Sequence, residues 1–150
     1  MYPFILGLHN LFRWVALILA IVATVGAFLG WFGKRQWSER DRKIGSFFGM
    51  AMDIQLLLGL ILYFAYSPIT RQALADFGAA MGVKDLRFFG VEHVFYMILA
   101  VVFAHLGSIL ARKAPESKAK FQRAAIFFGI SLLLMLLGIP WTRSLIPFLS

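Results

Sequence analysis

Six ionisable side chains stand inside or at the ends of long apolar runs: His9, Arg13, Asp53, Glu92, His93 and His105, with Gln55 a neutral companion. A charge near a bilayer centre costs roughly 2.5–3.5 kcal/mol on insertion scales, so chemistry is expected at such groups. Cysteine is absent, which excludes disulfides, thiolate metal sites and Cys nucleophiles. The chain has no H-E-x-x-H, no glycine-rich phosphate loop and no G-x-S-x-G. Asp53 and Glu92 fall at different depths, so they do not form a carboxylate pair for acid–base hydrolysis. Imidazole chemistry remains.

The elements that must position these groups follow from composition. Of 150 residues, 61% are hydrophobic and only 15% charged, against about 45–50% and about 25% in a soluble domain. A water-soluble globule of this size could not cover so much apolar surface, and a disordered chain would not carry it. The reading is all-α: an integral membrane four-helix up-down bundle forming a single transmembrane domain. Its spans are expected at about 4–32, 44–66, 88–111 and 124–139. Pro140 ends or kinks the fourth. The runs are continuous rather than alternating, and four strands could not close a membrane barrel. No basic residue precedes the first run, so a cleaved signal peptide is not expected.

The net charge of +8 raises nucleic acid as a partner, but the basic residues sit in short clusters between apolar runs. Ten of the fifteen lie in loops 33–43 and 112–123. The positive-inside rule makes those loops cytoplasmic, with both termini and loop 67–87 outside. A short interfacial helix is expected within 69–80. Short connections make sequential helices antiparallel neighbours. Gly26-x-x-x-Gly30 and Gly45-x-x-x-Gly49 could bring the first two helices close together.

His9 and His93 then form the sharpest pair. They stand on helices running the same way, 24 residues before Gly33 and 19 before Arg112. Their depths differ by roughly 7 Å, which unequal tilts absorb. Two imidazoles on parallel helices at similar depth are what bis-histidine haem b ligation in a bundle requires. Gly7 and Gly90 would let a flat macrocycle approach the backbone, with Phe12, Trp14, Phe89 and Tyr96 around it. Arg87, and next Arg13, are candidate partners for haem carboxylates. Arg13 could instead pair with Glu92, and Glu92 could serve as a structural bridge or as a proton acceptor. The alternative for both histidines is an interfacial role, hydrogen-bonded to neighbours or headgroups.

Deeper in the membrane, Asp53 and His105 stand on adjacent spans at depths differing by roughly 5 Å. They are expected to satisfy one another or Ser46; a polar relay is the functional alternative. His105 is turned about 120° from His93, so it cannot serve the same haem.

His9-x-x-x-Arg13, Arg87-x-x-x-x-Glu92-His93 and Pro140-Trp141 resemble a cytochrome b-like family of small bacterial four-helix membrane proteins. The likeness spans nearly the whole chain, including residues 57–64. More distantly, the pattern is similar to halves of cytochrome b561-type and haem A synthase-type proteins. The resemblance implies one haem b, electron transfer, a bacterial inner (cytoplasmic) membrane, and His9 and His93 as ligands. Unlike the b561 type, the chain lacks a second histidine pair.

The expected function is a b-type cytochrome carrying electrons near the outer face, rather than a stand-alone enzyme. The expected partners are lipid, a quinol or membrane complex, and another copy of the chain. The competing reading is a haem-free accessory subunit of a respiratory or photosynthetic complex. It draws on the very apolar fourth span, where Ser131 is the sole polar side chain between Ala124 and Gly138. A proton-coupled carrier built on Asp53 and His105 is a third reading.

Overall fold

A computed structural model of the chain describes residues 1–143 and 146–148. In chain order the elements are α1 (Tyr2–Phe32), α2 (Glu39–Ile61), a π-helical turn (Leu62–Tyr66), α3 (Pro68–Ala75), α4 (Phe77–Ala80) and α5 (Lys84–Arg87). A second π-helical turn (Phe88–Glu92), α6 (His93–Lys113) and α7 (Ser117–Gly138) complete the chain. No strand occurs among the described residues. Four helical segments are long and apolar enough to cross a membrane: Tyr2–Phe32, Glu39–Tyr66, Lys84–Lys113 and Ser117–Gly138. The chain is an all-α, multi-pass membrane bundle, and residues 69–80 carry two short helices rather than one.

The long helices form a ring in which α1 and α6 each pack against α2 and α7. Short connections make α1–α2 and α6–α7 antiparallel pairs. Hence α1 and α6 run the same way and face each other diagonally. Side chains such as Ile18, Leu29, Leu57 and Leu133 point outward and are more than half exposed, as a lipid-facing belt must be.

Small residues close the inner half of the bundle. Ala16, Ala20, Ala23 and Ala27 recur at helical spacing along α1, opposite Ala100, Ala104 and Ala111 of α6 and Ala124 and Ala125 of α7. With no side chain beyond Cβ, backbones approach closely and dispersion holds them together. Phe48 and Phe128 fill the remaining space edge to face, with ring centroids 5.5 Å apart. Ser131, the lone hydroxyl of that apolar stretch, is fully buried and donates to Ala100 O at 2.6 Å. It joins α7 to α6 rather than meeting lipid or another subunit.

The glycine repeats serve other interfaces than the expected first-to-second one. Gly30 faces Phe121 of α7, Gly45 faces Phe128 and Ser108, and Gly49 faces His105 of α6. Gly26 faces open space. The reason lies in the ring: α1 turns its small-residue stripe toward α7, and α2 turns its own toward α6.

Local signals explain the helix ends at the basic loops. Ser38 Oγ accepts from Asp41 N while Asp41 Oδ2 accepts from Ser38 N at 2.9 Å, a reciprocal capping box that starts α2 at Glu39. Lys120 donates to Ala111 O and Arg112 O, and Arg123 to Leu110 O. These cations cover the last carbonyls of α6. Ser117 Oγ accepts from Trp37 N at 2.9 Å, tying the two basic loops together.

At the other end, Pro140 terminates α7. It has no N–H to give Leu136 O, and the Trp141 indole Nε1–H donates there instead at 2.8 Å. The Pro140–Trp141 pair thus both stops the helix and completes its hydrogen bonds.

The packing is testable with two glycines on one helix. Alanine at either position gains about 1 kcal/mol of helix propensity. At Gly30 a Cβ would lie 2.3 Å from the ring of buried Phe121, an overpacking cost of about 1–3 kcal/mol. Thermal unfolding in detergent is expected to show Gly26→Ala unchanged or higher in Tm and Gly30→Ala lower.

Candidate functional site

His9 enters from α1 and His93 from the first residue of α6, and they meet across the bundle. Their ring centroids are 6.3 Å apart with planes at 71°. The depth difference counted along the sequence is absorbed, and the two imidazoles face one another between diagonal helices. A metal about 2 Å from one nitrogen of each ring places the centroids about 6 Å apart. The observed centroid spacing is compatible with that separation.

The remaining ring nitrogens are held by the protein. His93 Nδ1–H donates to Gly138 O at 2.6 Å, a carbonyl freed because α7 ends there. That bond leaves Nε2 as the bare nitrogen, the usual outer-shell arrangement of a ligating histidine. Gln55 Nε2 lies 3.3 Å from His9 Nε2 and donates to it, which puts the His9 proton on Nδ1. Both His9 Nδ1 and Gln55 Oε1 are buried without a partner. Each such orphan costs about 1–3 kcal/mol. Two in one contact mark a site whose polar groups are completed by something besides protein.

Hollows flank the pair. The larger, about 170 Å³, is bordered by both histidines, Asn10, Arg13, Gln55, Tyr63, Phe89, Met97, Met135 and Arg143 among others. A second, of about 40 Å³, shares His9, Gln55, Gly59, Tyr63 and His93 and extends between Leu56 and Leu60 of α2 and Val94 and Val101 of α6. Both histidines thus border both spaces. Met52, Met97 and Met135 line the larger one. Unbranched thioethers re-pack around a ligand more readily than branched side chains do.

Several expected neighbours lie elsewhere. Arg87 donates to Glu92 Oε1 at 2.7 Å and to Met81 O, so these two form an exposed bridge that borders neither hollow. The expected Arg13–Glu92 pair does not form; Arg13 is buried, donates to Asn10 Oδ1 at 3.2 Å and borders the larger hollow. Gly7 is covered by the Phe148 ring and Gly90 by Ala73, so neither offers backbone to a ligand. Gly59 has that part instead: a Cβ there would sit 3.3 Å from His9 Cε1. Of the expected aromatics only Phe89 borders the hollow; Phe12, Trp14 and Tyr96 do not.

Asp53 and His105 do pair, with His105 Nε2 donating to Asp53 Oδ1 at 2.7 Å. Both are about half exposed on the flank between α2 and α6, and Ser46 bonds its own helix at Arg42 O instead.

Both π-helical turns adjoin this site, one after Gly59 and one immediately before His93. Such turns inside helices often mark functional positions. They are joined by Tyr63 Oη, which donates to Gly90 O at 2.7 Å, while Thr70 Oγ1 donates to Tyr63 O at 2.8 Å.

Asn10, Gly59, Gly138 and Arg143 are members of the site that sequence reasoning missed. Asn10 had a usable signal, an amide beside a histidine in an apolar helix.

No protein-family model matches the chain, and no curated protein or solved structure is detectably similar to it. Fold and site together define a multi-pass membrane bundle with a paired-histidine cavity at one end. Among the described residues no group of three or more His, Asp or Glu gathers that could hold a metal. A metal at His9 and His93 would therefore arrive with further ligands of its own.

Removing the Tyr63 hydroxyl tests the joint between the π turns. Tyr63→Phe leaves the ring in place and deprives Gly90 O of its donor, at a cost of about 1 kcal/mol. A lower Tm in detergent is the expected result.

Proposed function

We propose that this protein is a one-haem b-type membrane cytochrome, with the haem between His9 and His93. The observation that carries the reading is the pair of imidazoles brought from diagonal helices to 6.3 Å, both bordering the same hollows. A porphyrin brings the four nitrogens that the protein lacks, and the two histidines complete the set. Haem held by two imidazoles supplies a one-electron couple with no open position at iron, hence electron transfer rather than chemistry on a bound substrate.

The residues divide that work. His93, pinned by Gly138 O, and His9, beside Gln55, would hold the haem through their ring nitrogens. With the Gln55 amide turned to present Oε1, His9 Nε2–H would donate to it and leave Nδ1 as the bare nitrogen. Met52, Met97 and Met135 line the hollow with apolar side chains and would exclude water from a bound macrocycle. Arg13 places a buried cation within the same cavity, one turn further along α1 than His9. A cation favours the reduced, less positive centre, so Arg13 raises the potential.

The ten basic residues in the two short loops support an orientation in which those loops are cytoplasmic and the histidine site faces outward, in what we take to be a bacterial inner membrane. The haem would then pass electrons between a membrane quinol or partner complex and an acceptor on that side. Asp53 and His105, half exposed on a membrane flank, favour a further membrane subunit or second copy covering that flank. A haem-free accessory subunit is the reading that remains if no haem binds.

Protein purified from haem-replete cells is expected to give a reduced-minus-oxidised b-type spectrum. His9→Ala and His93→Ala abolish it, while His105→Gln leaves it intact. A colourless preparation overturns the proposal. Orientation is read from cysteine labelling of intact cells: Ala79→Cys is expected to react, with Arg40→Cys and Lys118→Cys protected. The reverse pattern moves the site to the cytoplasmic side.

A further inference from the structure

Two cations border the larger hollow, and they differ in their surroundings. Arg13 lies one turn beyond His9 toward the alanine-packed half of the bundle and is buried. Arg143 lies past the end of α7, toward the surface from His93, with its side chain 44% exposed. Its guanidinium stands 4.5 Å over the ring of Phe89, whose own centroid is 6.1 Å from that of His93. Asp85 Oδ2 accepts from one terminal nitrogen of Arg143 at 3.3 Å. Arg143 is thus one ring away from a candidate ligand, held in position on two sides. A guanidinium has five donors in a planar fork, and one carboxylate does not exhaust them.

The rest of the lining follows the same order along the elements. Tyr2, Ser67 and Thr70 border the hollow from the start of α1 and from the N-cap and first turn of α3, while Met52 and Met135 border it from within α2 and α7. A flat amphiphile in this space gains most by directing its acidic edge toward hydroxyls and water and its apolar edge toward the methionines. Burying carboxylates at the other end would cost their desolvation.

We infer that Arg143 is the carboxylate anchor of the site: it binds the propionate edge of the haem and sets that edge outward. This rests on the haem reading above, and it replaces Arg87, which Glu92 already engages outside the cavity. Phe89 contributes by seating the guanidinium over its ring.

The test separates the carboxylates from the rest of the macrocycle. Full-length protein freed of haem is titrated in detergent with haem and with haem dimethyl ester, followed by the Soret band. Wild type, Arg143→Leu, Arg143→Lys, Arg13→Leu and Arg87→Leu are compared, each checked for an unchanged helical spectrum. A charge-assisted hydrogen bond of this kind corresponds to about tenfold or more in affinity. Arg143→Leu is expected to weaken haem binding by that factor and to leave ester binding unchanged. Arg143→Lys recovers part of the loss, and Arg87→Leu alters neither. An equal loss for haem and ester would show Arg143 to be a wall of the pocket and overturn the assignment, as would no loss for either. Discrimination between haem and ester by Arg13→Leu instead would point the carboxylates inward and overturn it too. If wild type binds neither pigment, the haem reading itself fails, a result distinct from all of these.

Discussion

The bond from His93 Nδ1–H to Gly138 O is the interaction on which the site depends. It exists because α7 stops: Pro140 lacks a donor, Ile139 is extended, and the Gly138 carbonyl is left without an intrahelical partner. A freed carbonyl in a membrane must find a donor, and the neighbouring imidazole supplies it. The same bond sets the tautomer of His93 and orients its ring toward His9. A proline that ends one helix thereby decides which nitrogen of another helix is available.

Packing divides the bundle into two functional halves. Toward the basic loops, alanine stripes bring four backbones together and leave little room between them. Toward the histidines the lining changes to methionine, asparagine, glutamine and arginine, and hollows open. Cavities are costly where side chains can fill them, and buried amides and imidazoles are costly where they lack partners. A protein that keeps both in one place keeps room for something else. The two π turns and the Tyr63–Gly90 bond brace this looser half from outside, joining α2 to the approach of α6.

Much of this was legible in the residues. Four apolar runs gave four crossing helices, and residue counts from the basic loops placed His9 and His93 close enough in depth to meet. The Asp53–His105 pair was legible for the same reason. The cationic partners were not. Arg87 and Glu92 are five residues apart, a spacing that leaves them on different faces of an α-helix. The π turn between them widens the helix by one residue and brings them together, which removes Arg87 from the site. Arg143 lies beyond the last span, where hydropathy has no periodicity to read. Glycines were misplaced because their use depends on which helix they face: Gly7 and Gly90 are covered by Phe148 and Ala73, while Gly59 makes room for His9. Ring order, which no single helix encodes, decides that.

The central proposal is that His9 and His93 together hold the iron of one haem. Electron paramagnetic resonance of the purified, oxidised protein tests it most directly, because two imidazoles impose a strong axial field on ferric haem. The account requires a low-spin ferric signal in wild type that is replaced by high-spin iron, or lost, when either histidine alone is changed. A wild-type sample with no haem iron contradicts it. So does a high-spin wild-type signal, or a low-spin signal that survives the loss of His9 or His93.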